Sequence, residues 1–255
     1  MSFDGSASLT EIAKQASKNG INELCVTDHY ECARPKMISR NTPVSQMRRE
    51  YLNAVAKNDT DVKILFGIEL GQPAHNSYQA EMALTDGSFD YVLASVHGVG
   101  DDIVMHHVDY TKDDCYDAID KYYDETLKVI EWGKFDVLAH FNLFLRNAAR
   151  QDVTLDLSRF DKKIDGIIKA LAQTGKGLEI NAASIYQALG YALPGEEILK
   201  RFKGYGGKII TVGSDSHEML NIGRGLDDAY DMARKAGFTQ CARFSQRNVS
   251  FYDIV

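Results

Sequence analysis

Five short apolar runs in this chain each close on a residue able to bind a metal ion. They are Leu24-Cys25-Val26-Thr27-Asp28-His29, Ile64-Leu65-Phe66-Gly67-Ile68-Glu69, Tyr91-Val92-Leu93-Ala94-Ser95-Val96-His97, Asp136-Val137-Leu138-Ala139-His140 and Ile209-Ile210-Thr211-Val212-Gly213-Ser214-Asp215-Ser216-His217. Each has the length and β-branched content of a buried strand. Helical patterns separate them, so the chain alternates strand and helix, which implies a parallel sheet with right-handed crossovers. The alternation fits an open doubly wound sheet or a closed barrel. An open sheet gathers ligands mainly at one switch point, whereas a barrel brings the C-terminal ends of all its strands around one mouth. Polar endings on five strands favour the barrel.

The helical segments carry their own signals. Ser8-Leu9-Thr10-Glu11 has the capping-box pattern, with Ile12, Ala13 and Ala16 following and Asn19-Gly20 as the stop. Helices are expected over about 45–57, 79–84, 113–132, 164–174, 196–202 and 226–236. In the longest, Tyr116, Ile119, Tyr123, Leu127 and Ile130 are spaced for one face. Further strands are expected over 177–180 and 241–244. No linker, repeat or low-complexity tract interrupts the 255 residues, so they are read as a single domain, 1–255.

A hydrophobic content of 44% suffices for one large core, and a net charge of −7 disfavours a broad grip on nucleic acid. No apolar run approaches the ~20 residues that span a bilayer. Met1-Ser2-Phe3-Asp4-Gly5 lacks the basic start and apolar stretch of a signal peptide. The four cysteines, Cys25, Cys32, Cys115 and Cys241, form no CxxC pair and read as free thiols. The expectation is a cytoplasmic protein without membrane partners.

His, Asp and Glu together suit zinc, iron or manganese without choosing among them. A carboxylate can bridge two cations, which makes the centrally placed Glu69 the candidate bridge. Asp215 and His217, two residues apart, share one face of an extended segment. A multinuclear site can acidify a bound water and clamp phosphate oxygens. Each residue alone has a plainer reading: a lone histidine after a strand is more often a surface or hydrogen-bonding group, and their joint occurrence outweighs this. His106-His107 lies in a polar stretch with no strand before it and is read as surface or loop; His75, in Pro73-Ala74-His75-Asn76, is read as a loop or helix start and left unassigned. Arg34 and Lys36, Arg146, and Arg224 follow strand-end histidines and are candidate phosphate contacts, since a guanidinium fork matches phosphate oxygens; solvated loop charges are the alternative. Glu179, with Asn181, ends another strand at the same mouth and could meet a cationic substrate group or face the helices. Tyr30, Phe141 and Tyr186 could line the pocket or pack in the core.

Thr27-Asp28-His29, Gly67-Ile68-Glu69, Ser95-Val96-His97, Ala139-His140 and Gly213-Ser214-Asp215-Ser216-His217 occur in the order and context of the PHP (polymerase and histidinol phosphatase) family. The sequence resembles that family over nearly its whole length, and its spacing is most similar to the histidinol-phosphatase branch. The resemblance implies an α/β fold, a distorted (β/α)7 TIM-like barrel, with up to three divalent metal ions (Zn, Mn or Fe). It implies that Glu69 bridges two metals, that His97 and His140 complete the second site, that Asp215 completes the first, and that His29 and His217 hold the third with Asp4. Glu69, Asp215 and His217 would be the catalytic residues; Arg34, Arg146, Glu179 and Arg224 would bind substrate. The activity implied is phosphomonoester hydrolysis of a small substrate, foremost L-histidinol phosphate in histidine biosynthesis. The family begins with a His-x-His motif on its first strand, and no such pair occurs among the seven histidines here. A truncated or internally started sequence, or a naturally short chain whose first strand is missing, would explain the departure; the first is favoured. A PHP phosphoesterase acting on nucleotides, or an inactive metal-binding remnant, are the alternatives. The oligomeric state is not legible.

Overall fold

The computed structural model describes residues 7–33, 40–100 and 102–254. Six strands form one parallel sheet: β1 (Glu23–Glu31), β2 (Lys63–Gly71), β3 (Tyr91–Ser95), β6 (Val137–Leu138), β7 (Gly177–Asn181) and β8 (Ile210–Gly213), in that spatial order. Between β3 and β6, Gly98–Val99 (β4) and Ile103–Val104 (β5) make a small antiparallel hairpin. The helices are α1 (Leu9–Lys18), α2 (Val44–Lys57), α3 (Ser77–Asp86), α4 (Cys115–Trp132), α5 (Phe144–Ala149), α6 (Asp161–Gln173), α7 (Ala183–Tyr186), α8 (Glu196–Gly204) and α9 (Leu226–Lys235). The capping box at Ser8 and Glu11 is formed. The long α4 buries Ile119, Tyr123 and Ile130 as its spacing predicts, and stops at Gly133, whose φ of 70° suits a left-handed cap.

Because the sheet strands follow one another in chain order, every crossover steps the same way and no switch point arises. The sheet curls into a half-barrel. Tyr91 on β3 and Thr211 on β8 have β6 and β7 between them, yet their hydroxyls lie 2.9 Å apart across the interior. Side chains alternate accordingly. Val92 and Ala94 join the large core against the helices, while Tyr91, Leu93, Val137 and Ala139 form a smaller inner cluster. The edges β1 and β8 are not hydrogen-bonded to each other among the described residues, and a cleft of about 300 Å³ lies between them. Among the described residues no helix is long and apolar enough to cross a membrane.

Two expectations need correction. The strand near 241–244 does not extend the parallel sheet. It is β9 (Gln240–Ser245), paired antiparallel with β10 (Asn248–Asp253), and its Ala242 and Phe244 complete the inner cluster beneath Tyr91. The connecting residues Gln246 and Arg247 have φ of 48° and 62°, a turn that Asn-Gly normally supplies. Tertiary contacts hold it: Gln246 N–H donates to Asp90 Oδ1, and Arg247 N–H to the Asp90 carbonyl. The second correction concerns strand length. β1 and β2 run on through His29 to Glu31 and through Glu69 to Gly71, so the first two metal-type residues sit inside paired strands.

A candidate metal centre at the mouth of the half-barrel

The inward face of the sheet places the polar residues. In the β1–β2 register His29 is the lateral neighbour of Glu69, and Glu31 of Gly71. Residues with Cβ on that face therefore rise as His29 and Glu31 on β1 and Glu69 on β2. His97 and His140 follow the ends of β3 and β6, and Asp215 and His217 follow β8.

Glu69 is the hub, with 5% of its surface exposed. Its Oε2 lies 3.1 Å from His29 Nδ1. Its Oε1 lies 2.9 Å from His140 Nε2 and 3.1 Å from His97 Nε2. The nitrogens of His97 and His140 are 3.4 Å apart, and His29 Nε2 is 3.3 Å from His217 Nε2. On the other side of the centre Arg146 Nη1 pairs with Asp215 Oδ2 at 3.2 Å. His217 Nδ1 lies 3.7 Å from Asp215 Oδ1. Two of these residues adopt left-handed backbone, His140 with φ 24° and Asp215 with φ 43°.

The charges are set by these contacts. Burial alone would raise the Glu69 carboxyl, but His29, His140 and His97 outweigh it and hold it well below the usual carboxylate range. Burial opposes a charged His97, yet Glu31 and then Glu69 overcome it and push the imidazole up to about 10 in the protein alone. Asp215 is held low because Arg146, and after it His140, outweigh its burial. Glu179 is the exception: burial dominates and its carboxyl is raised.

A cation fits this donor set. His97 Nδ1 faces a Glu31 carboxylate oxygen at 2.8 Å, which places the ring proton there. In the protein alone a second ring proton fills the gap between His97 Nε2 and Glu69 Oε1. A divalent cation would take that proton's place, since it too sets positive charge between the two acceptors. Candidate ligand atoms of His29, Glu69 and His97 all lie within 4.8 Å of one another.

The remaining sequence candidates separate. Arg146 reaches the centre from α5. Arg224 stands at the rim, its guanidinium 4.4 Å from the Tyr186 ring centroid, and Tyr186 donates to the Ser214 carbonyl. Glu179 faces inward, but its Oε2 accepts the His140 N–H at 2.8 Å and an Asn181 side-chain N–H at 3.2 Å. Gly213 makes room for it, since a Cβ there would lie 2.5 Å from Glu179 Oε1. Tyr30 and Phe141 belong to the core, so only Tyr186 of the three aromatics stands near the mouth. His106 and His107 are exposed as expected, although their short 3₁₀ turn directly follows the two-residue strand β5, and His75 is exposed too. Asp4, Arg34 and Lys36 lie outside the described residues. Glu31 was missed, although the two-residue step from His29 was a signal that both share a face.

A curled parallel sheet with imidazoles and carboxylates converging at its C-terminal mouth is the frame of a metal-dependent hydrolase. Known proteins place the chain more narrowly. The PHP domain model matches residues 1–183. A probable histidinol-phosphatase of Thermotoga maritima is 30% identical over 243 residues, covering 94% of this chain and 91% of that protein. A histidinol-phosphatase of Lactococcus lactis is 28% identical, covering 91% and 86%. The crystal structure of histidinol phosphate phosphatase from Lactococcus lactis, complexed with zinc, L-histidinol and phosphate, superposes with a TM-score of 0.74 at 25% identity, covering 94% of this chain and 91% of that one. This chain belongs to the PHP domain family.

Proposed function

We propose that the chain is a metal-dependent phosphomonoesterase that converts L-histidinol phosphate and water to L-histidinol and phosphate. The observation that carries this reading is the convergence of His29, His97 and His140 on one buried Glu69 carboxylate, with Arg146 and Asp215 beside it. The Lactococcus relative, whose structure holds zinc, L-histidinol and phosphate, supports the substrate.

Glu69, His97 and His140 would hold one cation, Glu69 and Asp215 a second, and His29 with His217 a third, in a family fold that is a distorted (β/α)7 barrel. Bound divalent cations supply Lewis acidity that activates water and neutralises charge on phosphoryl oxygens. The protein's own groups orient and exclude. Arg146 holds Asp215 through Nη1 alone. The guanidinium would therefore offer Nη2 to a phosphate oxygen without releasing the carboxylate. Arg224 at the rim is the second cationic group in reach of an entering monoester. The Glu179 carboxylate, already engaged by the His140 N–H, fits a role in holding His140 better than one in gripping a substrate amine.

Purified protein loaded with zinc or manganese should hydrolyse histidinol phosphate in preference to p-nitrophenyl phosphate. Broad turnover of nucleotides or phosphodiesters would instead support another PHP phosphoesterase. Metal binding without turnover of any ester would leave a metal-binding remnant.

A further inference from the structure

Glu31 is not among the residues proposed to hold a cation, yet it is among the most deeply placed carboxylates, 4% exposed. Burying an ionised carboxylate is costly unless a partner of opposite charge or a donor meets it. Its partner is His97: Glu31 Oε1 lies 2.8 Å from His97 Nδ1. The opposite edge of the same ring carries Nε2, 3.1 Å from Glu69 Oε1. The imidazole thus separates Glu31 from the cluster, and Glu31 cannot itself join Glu69 in ligation through that contact.

The surroundings are built for this contact. Asn41 clamps the Glu31 backbone from outside, accepting its N–H at 2.9 Å and donating to its carbonyl at 2.8 Å. On the neighbouring strand the residue opposite Glu31 is Gly71, and a Cβ there would lie 2.6 Å from the carboxyl carbon and both oxygens. Any side chain at 71 would force the carboxylate aside. The following residue, Gln72, accepts the His97 backbone N–H through Oε1 at 2.9 Å. His97 is thereby fixed at its backbone from β2 and at its ring from β1.

We propose that Glu31 is a positioning residue that accepts the Nδ1–H of His97 and keeps its Nε2 edge aimed at the Glu69 cluster, so that a cation there would depend on a carboxylate on the far side of the ring. Carboxylates of this kind orient ligating histidines and raise their basicity, and their loss typically costs about 10–100-fold in metal affinity. This inference rests on the metal-dependent reading above, and binding measurements separate the two.

The test is zinc binding by metal-free protein, followed by chelator competition, with cobalt(II) absorption as a second readout. Glu31→Ala should weaken the tightest-coupled site by about 10–100-fold and alter the cobalt spectrum. Glu31→Gln, which keeps an acceptor oxygen, should recover most of the affinity. Gly71→Ala keeps Glu31 but displaces it, and should mimic Glu31→Ala; it also guards against a Glu31→Ala protein that fails to fold. Wild-type affinity and spectrum in both Glu31→Ala and Gly71→Ala would overturn the role of Glu31 alone. Equal losses in Glu31→Gln and Glu31→Ala would overturn it too. A wild-type protein that binds no divalent cation would overturn the metal centre as well.

Discussion

At the residue scale the centre depends on one carboxylate. Glu69 faces three imidazoles, and its truncation would remove the one carboxylate they share. Glu69→Ala should abolish hydrolysis and release more than one metal per chain, read by elemental analysis alongside the assay. His106→Ala, on the exposed turn, should leave metal content at the wild-type value. Arg146→Ala should lower kcat/KM by about 10–100-fold, the worth of a hydrogen bond to a charged group, and steady-state kinetics on histidinol phosphate would measure it. The metal-type residues were legible because each interrupts an apolar run at its end. Glu31 was not, because the apolar run closes at His29 and Glu31 stands beyond it, on the last residue of β1. Polarity there marks an inward face lined for chemistry, and Tyr30 on the outward face packs in the core as any strand residue would.

At the scale of elements, alternation of period-2 and period-3.6 patterns revealed the sheet strands and the longer helices, because each buries one continuous face. The short α5 and α7 escaped, having too few turns to show a period. The strand β9 was expected, but β10 and its antiparallel pairing with β9 escaped for another reason. Their Gln246-Arg247 turn carries no local signal and is held by distant residues. Arg247 Nη2 lies 2.9 Å from Asp136 Oδ1, and Arg247 Nε lies 3.2 Å from both Asp136 oxygens. Asp136 in turn accepts the Val92 N–H at 2.9 Å. Because Arg247 is partly exposed, solvent screens much of the pair. Arg247→Ala should destabilise the fold by about 1–2 kcal/mol in urea unfolding, with kcat unchanged, since the hairpin packs on the face of Tyr91 rather than at the mouth.

At the scale of the whole molecule, folding and metal binding should be linked. The cluster draws residues from β1, β2 and the segments after β3, β6 and β8, so a cation bound there ties together strands distant in sequence. The unfolded chain has no such site. Zinc at 100 times its dissociation constant should stabilise the native state by about 2.7 kcal/mol, raising Tm on the order of 5–10 °C for a chain of this size. A calorimetric scan with and without metal would measure it; an unchanged Tm would mean that the site does not load. The left-handed backbone at His140 and Asp215 has a further consequence. Non-glycine residues in such conformations cost on the order of 1–3 kcal/mol each, and glycine would relieve part of that while removing a candidate ligand. Glycines at both positions should therefore give a sturdier fold stripped of the proposed centre, so that stability and chemistry pull positions 140 and 215 in opposite directions.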